Sequence, residues 1–158
     1  MEYEMDYRET MRRFLATLAY RTRHAFHDAP TGFEDFDAGM GVRTPVQVLN
    51  HMNDCVAMTD DVLCGRKPAR LEPLPFMEAL ETFHMSLQKL DKTLQEVTLP
   101  EDEKCLKLLQ GPLCDAMTHV GQLMMLRRLM GSPIPGVVYY RSDIRNGQVG
   151  PKQPLPTR

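Results

Sequence analysis

Two segments carry residue types that do metal chemistry: RTPVQVLNHMND, with His51 near its end, and GPLCDAMTHVGQL, with Asp115 and His119. Asp115 and His119 are four apart, so on a helix they stack on one face with Cβ atoms roughly 5–6 Å apart. His51 must come from a second helix to complete the set. Two imidazoles and one carboxylate leave coordination positions open for water or substrate, as catalytic metal sites require and structural ones avoid. The same spacing also fits a surface ion pair, and a lone inward histidine also fits a hydrogen-bonded core residue. Spacing alone does not choose between them.

The elements that must position these residues follow from hydrophobic periodicity, which predicts four helices and an all-α fold. The first, about 5–27, carries Met11, Phe14, Leu15, Leu18, Thr22 and Ala25 at helical spacing and stops at Ala29-Pro30-Thr31-Gly32. A long connection, Thr31 to Arg43, follows; its length suits an up-down bundle with a crossover loop, or a loop that shapes a site. The second helix, about 44–63, starts with Thr44 as N-cap, Pro45 at the first helical position and Gln47 at the third, a capping box. The third, about 75–97, has a narrow apolar seam from Phe76, Leu80, Phe83, Leu87, Leu90 and Leu94. The fourth, about 102–130, contains Pro112 as a kink or restart and ends at Gly131-Ser132-Pro133. An irregular tail, 131–158, completes the chain.

On the second helix Val48, His51, Cys55, Met58 and Val62 form one line, which puts His51 on the inward side. On the fourth, Asp115, His119, Gln122, Leu126 and Leu129 form a similar line. Gln122, one turn beyond His119, is a candidate for holding or orienting a ligand from behind, or for an ordinary interhelical hydrogen bond. Asp54 fits an exposed helix carboxylate better than a partner for His51, and Cys114 a buried, inert thiol. His24 and His27 near the end of the first helix fit its dipole.

Composition narrows the function classes. The 158 residues, 42% hydrophobic, are enough for one domain with one core. A formal charge of −2 supplies no basic footprint for nucleic acid. No apolar run approaches the roughly 18–20 residues of a membrane span, and the acidic opening MEYEMDYRET lacks the order of a signal peptide. The expectation is a soluble, cytoplasmic protein that binds neither nucleic acid nor membrane. Cys55, Cys64, Cys105 and Cys114 form no close pair, so reduced and mostly buried thiols are expected.

The chain resembles the DinB/YfiT-like superfamily of metal-binding four-helix bundles. The residues that carry the resemblance are Arg43-Thr44-Pro45 with Leu49-Asn50-His51, Gly111-Pro112 with Asp115, Thr118-His119, Gly121-Gln122, Leu126-Arg127-Arg128 and Gly131. It implies a single bundle domain over residues 1–158, with His51, Asp115 and His119 holding a divalent metal. Asp115 departs from the usual third imidazole, and its harder oxygen brings Fe(II) or Mn(II) alongside Ni or Zn. The resemblance also implies homodimers and a metal-dependent S-transferase or hydrolase acting on a small-molecule substrate, with a low-molecular-weight thiol as co-substrate. The alternative from another class is a non-catalytic metal-binding or stress-related bundle. A loop at Phe33–Met40 or the Tyr139–Arg141 tail is expected at the substrate mouth.

Overall fold

The structure, a computed structural model, describes residues 6–154 and 156. Among them there are five α-helices and no strand: α1 (Tyr7–Phe26), α2 (Pro45–Leu63), α3 (Phe76–Glu96), α4 (Asp102–Leu108) and α5 (Cys114–Leu129). A π-helical turn, Leu109–Leu113, joins α4 to α5, so the chain builds four helical columns. The expected first-helix start at Met5 lies outside the described residues, as do parts of the tail's end.

Local sequence explains each boundary. Asp6 caps α1, its side chain accepting from the Glu9 N–H at 3.1 Å. At α2 the capping box forms: Gln47 Oε1 accepts from the Thr44 N–H at 3.0 Å, and Pro45 occupies a position whose N–H has no helical partner. Pro112 explains the π turn, because proline lacks an N–H and its ring crowds the preceding turn; one wider turn accommodates both. Gly131, at φ +83°, ends α5: the Ser132 N–H reaches the Arg127 carbonyl at 2.9 Å and the Gly131 N–H reaches Arg128 at 3.0 Å.

The core is a stack of apolar residues taken from one stripe of each column: Leu15 and Leu18, Leu49 and Met52, Phe83 and Leu87, Leu113 and Leu123, all fully buried. Each such side chain contributes on the order of 1.5–3 kcal/mol by leaving water. The columns form a ring in which α1 packs on α3 and α5, and α2 packs on the same two. Helices α1 and α2 are therefore diagonal, and the 27–44 connection crosses the end of the molecule to join them. Phe33 in that connection is buried, edge-on to Phe26.

Chain direction differs from the up-down expectation. Asn50 exchanges two hydrogen bonds with the Leu74 backbone, Asn53 donates to Ala79 O at 2.9 Å, and Thr93 donates to Asp60 at 2.6 Å. Positions rise together along both helices, so α2 and α3 are parallel. Arg8 to Val97 and Arg12 to Asp91 make α1 antiparallel to α3. The order is up-down-down-up, with a second crossover at 64–75. Periodicity reports which face is apolar and carries no information on direction, so an overhand connection is invisible to it.

Arg127 locks the ends of two columns. It is 4% exposed and donates to the Ala25, His27 and Asp28 carbonyls and to both oxygens of Ser132. These include the orphan carbonyls at the end of α1. Arg127→Ala would leave them buried without donors and should cost about 3 kcal/mol or more in urea denaturation. Lys should recover only part, since it lacks the planar fork. A loss below about 1 kcal/mol would show that water replaces the guanidinium.

Candidate metal centre

His51 and Cys55 lie one turn apart on α2, and Asp115 and His119 one turn apart on α5. Because α2 and α5 are antiparallel neighbours, the two pairs meet. His51 Nε2 is 2.9 Å from Asp115 Oδ2, and Cys55 Sγ lies 3.6 Å from that oxygen and 3.8 Å from His51 Nε2. One ligand atom from each of His51, Cys55 and Asp115 falls within 4.8 Å of the others, a group that could hold a metal ion. Donors on a tetrahedral ion with bonds of about 2.0–2.3 Å stand roughly 3.3–3.7 Å apart. The sulfur distances are close to this; the nitrogen–oxygen pair sits at hydrogen-bond distance.

His119 stands beside the group, its ring centroid 4.6 Å from that of His51. Its Nδ1 is 2.8 Å from the Asp115 carbonyl. A carbonyl only accepts, so Nδ1 carries the proton and Nε2 presents a lone pair. Arg43 Nη1 donates to that Nε2 at 3.1 Å. A histidine ligand has this same preparation, the far nitrogen fixed by a backbone carbonyl and the near one basic.

Burial grades across the site. Cys55 and His119 are buried, His51 is half-buried and the Asp115 side chain is 47% exposed, so the group opens to solvent on the Asp115 side. Burial, the nearby Asp115 charge and the hydrogen bond to it push the Cys55 thiol up to about 12, so it is protonated and donates. For Asp115, burial acts to raise the pKa, but the His51 hydrogen bond and the two imidazoles outweigh it and hold the carboxyl below its ordinary value.

An open cleft of about 610 Å³ runs over the group, walled by Met58, Pro68, Ala69, Gly111 and Pro112, with His51, Cys55 and Asp115 in its lining. A smaller cavity of about 320 Å³ shares Arg43, His51, Asp54 and Arg70 with it and extends to Leu71 and Pro73. The mouth is thus built by the α2–α3 crossover. The two segments expected there are engaged elsewhere: Phe33 is in the core, and Tyr139 packs on α1 with its hydroxyl 2.9 Å from His24 Nδ1 and Arg21 over its ring.

Of the four residues expected at the site, His51, Asp115 and His119 converge. Gln122 is exposed and makes no side-chain hydrogen bond to another described residue, because three residues past His119 it lies about 60° round the helix, on the solvent stripe it shares with Thr118 and Met125. Asp54 anchors the crossover instead of orienting His51, accepting from the Leu71 N–H at 2.9 Å. Cys114 and Cys64 are exposed, not buried. Cys55 is the residue the sequence reading missed as a donor. Its signal was present, since His51 and Cys55 share the four-residue spacing of Asp115 and His119.

The thiols should separate by reactivity. Iodoacetamide at pH 8 should alkylate Cys64 and Cys114 readily and Cys55 and Cys105 at least about 100-fold more slowly, because burial raises both inner thiols. Peptide mapping by mass spectrometry reads this, and rapid labelling of Cys55 would contradict its burial and its bond to Asp115. Comparison with protein-family models, curated proteins and solved structures gave no match, so what the site does must be argued from its own side chains.

Proposed function

We propose that the chain is a four-helix bundle of the DinB/YfiT-like type in which His51, Asp115 and His119 hold one divalent ion. On this reading it is an enzyme that transfers a small thiol, or water, to an electrophilic substrate in the cleft. The observation that carries the reading is the group at the cleft: His51 and Asp115 line it from antiparallel helices, and the buried His119 stands beside His51 with its Nε2 left basic by the Asp115 carbonyl behind it. The bound ion supplies Lewis acidity that makes a thiol or water nucleophilic near neutral pH. The residues do the rest. Asp115 and His51 fix each other, and the Cys55 thiol donates a hydrogen bond to the same carboxylate. The walls at Pro68–Leu71 and Gly111–Pro112 hold the substrate beside them. A cleft of several hundred Å³ over the donors favours turnover over a sealed, non-catalytic metal site.

Protein purified without a histidine tag or chelator should contain stoichiometric nickel, zinc, iron or manganese by elemental analysis. His51→Ala, Asp115→Ala and His119→Ala should each bring it to background with helicity intact, while Cys55→Ser retains it. Conjugation of low-molecular-weight thiols to an electrophile such as monochlorobimane should follow the metal. Full metal in His119→Ala would remove that residue from the set, and a wild-type protein that takes up none on reconstitution would end the reading.

A homodimer belongs to the same proposal. Met125 and Leu129, one turn apart on α5, are 56% and 59% exposed and form an apolar strip that a second copy would cover. Sedimentation at micromolar concentration should give twice 18.1 kDa, and Met125→Lys with Leu129→Lys should return the monomer. A wild-type monomer would refute it.

A further inference from the structure

The cleft holds two cations, neither of them in a close ion pair among the described residues. Arg43, just before α2, makes no ion pair among the described residues; its contact in the cleft is the neutral Nε2 of His119 at 3.1 Å. Arg70, in the α2–α3 crossover, has an 89% exposed side chain and stands 3.9 Å from Asp54 Oδ2. That carboxylate already accepts the Leu71 N–H through its other oxygen. Both arginines line both cavities, as His51 does. Asn50, which also faces the smaller cavity, is committed to Val46 and Leu74. The strongest donors left free to a ligand are therefore guanidinium N–H groups, whose planar fork matches a two-oxygen acceptor.

We propose that Arg43 and Arg70 form an anion clamp and that the cleft takes a small molecule bearing a carboxylate, its apolar body lying along Leu71, Pro73 and Met58. The charge balance agrees. Asp54 and Asp115 together offset the two arginines, so a divalent ion at the donor group would leave the cleft with two net positive charges, of which a carboxylate neutralises one. The coupling to the metal rests on the function proposed above: an ion at His119 Nε2 takes the position of the Arg43 guanidinium and frees it to face the cleft. Two substituents of equal size separate a carboxylate from other occupants, phenylacetate against its neutral amide, with phenylphosphonate as the phosphate-like arm.

The test is calorimetric titration of the zinc-loaded protein with these three probes, alongside elemental analysis of each sample. Phenylacetate should bind at least about tenfold more tightly than phenylacetamide, the contrast expected for charge-assisted hydrogen bonds. Arg43→Gln and Arg70→Gln should each weaken it by about tenfold with zinc content unchanged, since neither is a proposed metal ligand. Chelated protein should bind it more weakly, Arg43 being held at His119. Binding that survives both substitutions would place the anion on the metal and overturn the clamp, as would equal affinity for the amide or no binding at all. Preference for phenylphosphonate would overturn the carboxylate assignment. The two proposals fail separately: a protein that takes up no zinc yet binds phenylacetate through both arginines keeps the clamp and loses the metal, whereas stoichiometric zinc with arginine-independent binding does the reverse.

Discussion

The register of α5 against its neighbours governs whether this chain has a site. A shift of one residue turns an α-helix by about 100°, which would carry Asp115 away from His51 and bring Cys114 or Ala116 to face it. Three contacts prevent the shift. At the far end Arg127 joins α5 to the last carbonyls of α1. Along its length Ala116, Val120 and Leu123 are buried in the core, where sliding would open voids. At the near end the π turn at Leu109–Leu113 packs on α2 and absorbs the misfit that Pro112 imposes. The polar group is positioned by apolar packing, and its own hydrogen bonds are short because the helices are already in place.

Within that frame the polar atoms largely satisfy one another. Asp115 accepts from His51 through a side-chain oxygen and from Cys55 through the same oxygen, while its backbone carbonyl takes the His119 Nδ1 proton. Arg43 supplies the remaining donor to His119. Buried polar groups cost free energy unless paired, and here the buried Cys55 thiol and His119 imidazole are drawn into one connected set with His51, Asp115 and the exposed Arg43. The set has a cation at the lone pair a metal ligand would offer. A guanidinium at His119 Nε2 and a divalent ion at the same atom are alternatives, so an ion bound there would have to displace Arg43.

Much of this was legible in the chain before its structure. The Thr44–Gln47 box, the seam of α3 and the Gly131 stop rest on local periodicity and capping chemistry, which sequence displays directly, whereas the meeting of His51 with Asp115 and His119 was expected from the family resemblance, spacing alone leaving it open. What it did not display depends on non-local geometry. Cys55 becomes a donor only because Asp115 lies across from it, and Gln122 loses its expected role because it lies on the solvent stripe of α5 that runs through Cys114, Thr118 and Met125. Cys114 is exposed for the same reason. The direction of α3 depends on Asn50, Asn53 and Asp60 finding partners that a parallel neighbour supplies. Nothing in the amphipathic pattern of either helix distinguishes up from down.

That hidden direction is also what makes the cleft. Had α2 and α3 been an antiparallel hairpin, a short turn would have joined their adjacent ends and left the outer face of α2 bare around His51. Because they are parallel, the chain leaving Leu63 must travel back along the length of α2 before α3 can begin at Phe76. Prolines at 68, 73 and 75 favour an extended course, and Asp54 and Asn50 pin it to α2 at Leu71 and Leu74. The returning strand of backbone becomes the wall opposite Gly111 and Pro112, and it delivers Arg70 to the donor group. An open cleft, a cation at its rim and a donor cluster at its floor thus follow from one topological choice.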